Sequence, residues 1–371
     1  MTICTDILLF SACLTERQKL LRVISQLSEV HCLGTATTAT LALRKVELLK
    51  PDVVLIDEDM LTETTVPLLT ELKQQYPHLN LILLAYPSPQ QITIAVQTQQ
   101  LGILDVIVKP QLDDNEAEIK VLINQLQPLI DLVQLKKQAR LSQSPPLIRY
   151  SHPIISGCSN HLSAFARRKF SAIELIVIGL STGGPKALHR FIPELDSSLP
   201  CPLLIVQHMP PVFTEALADK LNDETALSVC EVKGGEEIQP GHIYLAQGGK
   251  HLVLTKSAQG KLILELNELA PVNYCRPSVD VLFESVANIF SGQVLAIVMT
   301  GMGHDGTEGV RCLKRRGALC WIQDQASSVV WGMPGSVHAA GLADEVLALE
   351  DFAQRINQVM FESGLCKALL R

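Results

Sequence analysis

A chain of 371 residues, 47% hydrophobic and 19% charged, holds enough apolar material for two or three domains with cores of their own, which excludes disorder as the dominant state. Its formal net charge of −7 leaves no chain-wide basic footprint, so neither nucleic acid nor an anionic membrane is an expected partner. The ten cysteines form no C-x-x-C pair, which argues against a zinc ribbon or a redox motif. Their apolar settings read as small buried hydrophobes in a reducing compartment. The N-terminus has no basic start, and its apolar run Ile7-Leu8-Leu9-Phe10 is too short for a signal peptide. No run of 18 apolar residues occurs, so no direct membrane insertion is expected and the location expected is cytoplasmic.

Short apolar runs at 6–10, 30–34, 53–57, 79–86 and 103–108 alternate with amphipathic stretches such as 16–27 and 41–49. The alternation predicts an α/β domain over 1–136, with a parallel sheet covered by helices on both faces. In such sheets function collects at the carboxyl ends of the strands. Residues 137–170 lose the pattern. They contain Ser142-Gln143-Ser144-Pro145-Pro146 and the basic trio Arg167-Arg168-Lys169, and read as a linker whose charges are solvated. A second alternating region covers 171–371. Strands are predicted at 175–179, 203–207, 242–245, 252–255, 294–300 and 318–323, and helices at 185–191, 279–290 and 307–315. The expected architecture is therefore two doubly wound parallel-sheet α/β domains.

Three motifs in the second region carry chemistry. Gly179-Leu180-Ser181-Thr182-Gly183-Gly184-Pro185 follows an apolar run and fits G-x-S-x-G, the turn that lifts a nucleophilic serine out of a sheet. Its glycines permit a tight turn, and the following helix N-terminus can hold an oxyanion or a phosphate. The same stretch nearly spells a phosphate loop, but Lys186 comes one place late and Ala187 follows it. A glycine turn without chemistry is the third reading. Gln207-His208-Met209-Pro210 ends the next strand, where a histidine can serve as a base. Gly301-Met302-Gly303-His304-Asp305-Gly306 matches G-x-G-x-x-G, with Asp324 near the ribose-binding place, so a dinucleotide enzyme is a rival. A carboxylate in that loop opposes a pyrophosphate, at about 4 kcal/mol for ~4 Å and an effective dielectric of ~20. Orienting a histidine suits Asp305 better. Together the motifs supply Ser181 as nucleophile, His208 as base and Asp305 as the acid that fixes the imidazole, the constellation of acyl transfer. The chain order serine, histidine, aspartate differs from the serine, acid, histidine order of the α/β-hydrolases. Asp280 is a competing acid, better explained by a helix start.

These residues resemble one family. Gly179-Leu-Ser-Thr-Gly-Gly, Gln207-His-Met-Pro, Gly301-Met-Gly-His-Asp-Gly and Val330-Trp-Gly-Met-Pro-Gly are similar to motifs of the chemotaxis protein-glutamate methylesterases, the CheB type. So are Pro240-Gly-His-Ile-Tyr-Leu-Ala and Arg276-Pro-Ser-Val-Asp-Val-Leu-Phe between them. The resemblance implies a Rossmann-like catalytic domain that hydrolyses γ-glutamyl methyl esters on chemoreceptor cytoplasmic helices, with deamidation of receptor glutamines in some members. It implies Ser181, His208 and Asp305 as the catalytic residues, and Thr182 and Met302 as oxyanion positions acting through backbone N–H groups. It implies no metal or organic cofactor.

The first domain resembles the family's receiver, a flavodoxin-like response-regulator module with a histidine kinase as partner. Asp57 matches the phosphoacceptor, and Lys109-Pro110 the lysine strand. The acidic pair that should end the first strand is missing, with Leu9 and Phe10 expected in its place, and Ala85 stands where a hydroxyl belongs. Asp6 lies ~10 Å upstream along an extended strand, too far to substitute. Magnesium needs hard oxygen ligands that these residues do not offer. A degenerate receiver, inefficiently phosphorylated at Asp57, is expected.

Overall fold

The structure, a computed structural model, describes residues 4–60, 65–86, 103–110, 115–141 and 173–369. Most of the expected linker, with the basic trio, lies outside them. The chain separates into two compact units, residues 1–161 and 162–371.

The first unit is built on β1 (Thr5–Phe10), β2 (Val30–Ala36), β3 (Val53–Asp57), β4 (Asn80–Ala85) and β5 (Asp105–Val108). They form one parallel sheet in the order β2-β1-β3-β4-β5. β3 is buried at every position, as a strand covered on both faces must be. The helices are α1 (Leu14–Gln26), α2 (Ala39–Leu49), α3 (Thr65–Gln75) and α4 (Asn115–Leu141), with α1 packed beside α4 and α2 beside α3. Thr38 starts α2 by accepting the Leu41 amide at 3.3 Å, and Lys50 closes it in the left-handed region. The α4 helix runs past the expected domain limit at 136, because Gln134 and Lys137 tie it back to Glu29, Cys4 and Asp52.

The second unit carries seven parallel strands. In chain order they are β6 (Ile173–Leu180), β7 (Leu203–Gln207), β8 (Ser228–Glu231), β10 (His242–Leu245), β13 (Gln293–Val298), β14 (Leu319–Gln323) and β15 (Glu345–Leu347), arranged as β15-β14-β13-β6-β7-β10-β8. The chain enters at β6 and builds outward first on one side and then on the other. The switch point therefore lies at β6, where open α/β sheets place their sites. Helices α5 (Gly184–Phe191) and α6 (Phe213–Glu224) pack together, as do α7 (Val279–Ile289) and α8 (Thr307–Arg315). Two further helices complete the fold, the short α9 (Met333–Ala339) and the longer α10 (Phe352–Leu369) at the carboxyl end.

One part departs from the doubly wound expectation. β9 (Glu236–Glu237), β11 (His251–Lys256) and β12 (Leu262–Asn267) form a separate antiparallel sheet, with β11 packed on α7. The run at 252–255 reads as another parallel strand, but the intervening 257–261 turn is too short for a crossover and forces a hairpin.

The cysteine reading also divides. Cys201 and Cys320 are buried, and burial pushes both thiols up to about 12, as inert small hydrophobes should be. Cys4 and Cys13 are exposed, and Cys275 is half-buried beside polar groups.

Candidate active site

Three neighbouring strands, β13, β6 and β7, bring the predicted residues to one end of the central sheet. Leu180 pairs with Gln207, so Ser181 and His208 emerge side by side one residue later. The Ser181 amide donates to the Thr300 carbonyl at 3.0 Å, and the His208 amide to the Leu180 carbonyl at 3.1 Å. Gly183 turns the chain at φ 83° into α5, a conformation that a residue with a Cβ rarely adopts. Buried Gln207 holds the Ser181 carbonyl through its Nε2 at 3.0 Å.

His208 and Asp305, 97 residues apart in sequence, meet with Nε2 and Oδ2 2.8 Å apart. Five donors converge on the Asp305 carboxylate. Besides His208 they are Asn273 Nδ2 at 2.9 Å, Ser278 Oγ at 2.8 Å, and the amides of Val279 at 2.7 Å and Asp280 at 3.1 Å. The last two are the opening N–H groups of α7, so this aspartate caps the helix from another part of the chain and sits at the positive end of its dipole. Burial alone would raise the Asp305 carboxyl, but the bonds from His208, Asn273 and Val279 outweigh it and hold it well below the usual carboxylate range.

Asp280 does not reach the histidine. Its Oδ1 accepts the Gly309 amide at 2.7 Å and its Oδ2 accepts Asn273 Nδ2 at 2.8 Å. Burial raises it, against the Gly309 bond and with the help of the Asp305 charge beside it. The choice between the two acids thus falls to Asp305.

With Asp305 on Nε2, the neutral imidazole is held as the Nε2–H tautomer and Nδ1 carries the lone pair. Burial would pull His208 down, yet the hydrogen bonds with Asp305 and Cys275 hold it up at about 9. Among the described residues no side-chain hydrogen bond joins Ser181 Oγ to His208, a contact that in many hydrolases closes only with substrate.

The turn at 301–303 lies against the serine. A Cβ on Gly301 would come within 2.9 Å of Ser181 Cβ and 2.3 Å of Met333 Sδ, so only glycine fits. Gly301 is fixed by its amide on the Val330 carbonyl at 2.9 Å and by its carbonyl, which accepts from Gly332 and Met333. Thr300 Oγ1 donates to the Thr182 carbonyl at 2.9 Å and receives the Val330 amide at 3.0 Å. Thr182 and Met302 thus flank the serine on two tethered turns.

The rival chemistries lose their parts. Lys186 is exposed on α5, where it cannot line a phosphate cradle. Asp324 is engaged in its own turn, accepting Ser327 N at 2.9 Å and Ser327 Oγ at 2.6 Å.

Sequence reasoning missed Gln207, Thr300, Asn273, Ser278 and Cys275. Asn273 and Tyr274 form a two-residue reversal, both at positive φ, between Val272 and Cys275. That reversal puts Asn273 on the acid and Cys275 Sγ 3.4 Å from His208 Nδ1. The signal for these residues was adjacency to the Arg276-Pro277-Ser278-Val279-Asp280 motif, which alone does not say where their side chains go.

In the first unit, Asp57 and Lys109 are both buried and stand 2.7 Å apart. Ser11 Oγ donates to the other Asp57 oxygen at 2.9 Å. This corrects the expected placement of Leu9 and Phe10. They pair with Leu55 and Ile56 inside the sheet, and the parallel register carries Ser11 to the position facing Asp57. Ala85 is buried at the end of β4, as expected, and brings no hydroxyl. Asp6 is engaged at the opposite end of its strand, with Lys137 and His31. Burial pushes Asp57 up despite Lys109, whose ammonium is itself held up, against its own burial, by Asp57.

The profile of the CheB methylesterase family matches residues 176–356. A protein-glutamate methylesterase/protein-glutamine glutaminase of Desulfotalea psychrophila is 36% identical over 90% of this chain and 92% of its own. One from Caulobacter vibrioides is 37% identical over 85% and 87%. The catalytic domain of the Thermotoga maritima CheB methylesterase is 39% identical, covering 51% of this chain and 99% of that domain with a TM-score of 0.49.

Proposed function

The chain belongs to the CheB methylesterase family, and on that premise we propose that it hydrolyses γ-glutamyl methyl esters on the cytoplasmic helices of chemoreceptors, in signalling adaptation. The observation that most supports a serine-hydrolase mechanism is the 2.8 Å bond between His208 and Asp305 at the strand ends that present Ser181. Ser181 Oγ attacks the ester carbonyl while His208 Nδ1 takes its proton. Asp305, ionised and rigidly held, fixes the tautomer and stabilises the imidazolium. The carbonyl oxygen becomes an oxyanion between the backbone N–H groups of Thr182 and Met302. Collapse expels the methoxy group, which leaves as methanol with the proton from His208. Water, deprotonated by the same nitrogen, then attacks the γ-glutamyl–serine ester and frees the glutamate carboxylate. A receptor glutamine enters the same cycle with ammonia as the leaving group.

The described residues include no helix long and apolar enough to cross a membrane. The reading places the enzyme in the cytoplasm, acting on the soluble parts of receptors.

Phosphorylation of a receiver requires a divalent cation on several hard oxygen ligands. At the end of β1 the residue facing Asp57 is Ser11, a neutral hydroxyl where the resemblance expects carboxylates, and Lys109 already occupies the other Asp57 oxygen while also reaching Glu16 at 3.3 Å and Glu58 at 3.6 Å. We therefore assign the first unit as a degenerate receiver in which Asp57 is not efficiently phosphorylated.

The test is methanol release from a methylated receptor cytoplasmic fragment by the full-length protein. Release that disappears in Ser181→Ala supports both reaction and nucleophile. Equal release by the two proteins would remove Ser181 from the mechanism.

A further inference from the structure

Among the described residues, His208, Cys275 and Asp305 form the one trio of histidine, cysteine and acidic side chains whose donor atoms lie within 4.8 Å of one another. The trio is not used uniformly by the esterase cycle, because Cys275 has no part in it. Its sulfur nevertheless stands 3.4 Å from Nδ1, the nitrogen that does the chemistry.

That separation has a meaning for metals. Zinc binds thiolate at about 2.3 Å and imidazole nitrogen at about 2.0–2.1 Å, and a tetrahedral angle between them puts sulfur and nitrogen about 3.5 Å apart. Sγ and Nδ1 already hold nearly this spacing. The far side of the imidazole is equally suited. Histidine ligands of zinc donate their other N–H to a carboxylate, which fixes the ring and raises its basicity. Asp305 does this on Nε2 at 2.8 Å. Its oxygens are already engaged by Asn273, Ser278 and the α7 amides, so it serves as the outer carboxylate and not as a ligand. Nδ1 is thereby the lone-pair nitrogen facing the thiol. Cys275 and Ser181 are half-buried and not sealed from solvent, the source from which a small cation and its completing waters would come.

The geometry points to a binding site for a thiophilic divalent cation, zinc foremost, on His208 Nδ1 and Cys275 Sγ, which reversibly inhibits hydrolysis by taking the electron pair of the base. Binding displaces the thiol proton to solvent and makes the thiolate a ligand. The inhibition rests on the proposed esterase reading, whereas the binding does not.

Two measurements on the full-length protein separate them. Cobalt(II) serves as the spectroscopic probe for zinc, because thiolate ligation gives a charge-transfer absorption in the near ultraviolet. The expected result is a band that falls by one cobalt per chain in Cys275→Ala and in Cys275→Ser. In Asp305→Asn the affinity should drop 10–100-fold. In the methanol-release assay, zinc should inhibit the wild type reversibly on addition of a chelator. Half-inhibition of Cys275→Ala, measured against its own metal-free rate, should need at least tenfold more zinc. A cobalt band or a zinc sensitivity unchanged in both cysteine variants overturns the site. Absence of any methanol release from the wild type would instead fail the esterase reading, and the cobalt band would still decide the metal site.

Discussion

Asp57 and Asp305 are both buried carboxylates, the first closing a parallel strand and the second in the loop beyond one, and they differ in what surrounds them. Asp57 faces a buried ammonium at 2.7 Å, with a single hydroxyl on its other oxygen. Asp305 faces a histidine and four neutral donors, two of them the opening amides of a helix. The lysine offsets the charge of Asp57, though it also reaches Glu16 at 3.3 Å and Glu58 at 3.6 Å, and it occupies the place where another cation or a phosphoryl group would have to sit. Neutral donors and a helix dipole stabilise the charge without cancelling it, so Asp305 still projects its field onto the imidazole. The lesson is that burial of an acid is silent about role. The chemistry of its donors decides whether it is spent internally or acts on a neighbour.

The contrast is sharpened most by removing the active carboxylate and its partners. Ser181→Ala and His208→Ala should each lower kcat on the order of 10⁶-fold, and Asp305→Asn about 10⁴-fold, measured by methanol release. A loss for Asp305→Asn smaller than tenfold would show that its charge does not reach His208.

For the quenched carboxylate the effect should be structural. Lys109→Met strands Asp57 in the sheet and should cost the first unit about 3–5 kcal/mol, read by hydrogen exchange of the β3–β5 amides in the full-length protein. Pairing it with Asp57→Asn should restore most of that loss. If the double variant is no better than the single, the two groups are not coupled.

The pH profile gives a smaller but directional effect. A histidine base works only when neutral, and His208 is held at about 9. In chelator-containing buffer kcat/KM should therefore rise roughly tenfold per pH unit up to about 9 and then level. Cys275→Ala removes one of the bonds that raise the imidazole, so the midpoint should move down. A midpoint near that of free histidine in the wild type would contradict the environment described.

The smallest effect expected is none. Acetyl phosphate with Mg²⁺ should leave Asp57 unlabelled, and stoichiometric labelling that disappears in Asp57→Asn would restore the receiver to ordinary phosphotransfer.

Much of this was legible in the sequence. Runs such as Val53-Val54-Leu55-Ile56 and Leu203-Leu204-Ile205-Val206 are β-branched or leucine-rich, too short for helices and bounded by turn residues, and they became strands with the predicted limits. That Ser181, His208 and Asp305 would lie at one end of the sheet was readable because each follows an apolar run that reads as a parallel strand. That information is local, carried by a few adjacent residues and their periodicity. Only the tertiary structure decided which of two nearby aspartates meets His208, that β11 turns back on β12, that Ser11 and not Phe10 faces Asp57, and that Cys275 stands beside the His208 imidazole. Each of these depends on strand register or on a turn joining side chains far apart in sequence. A shift of one residue in register sends a side chain to the other face.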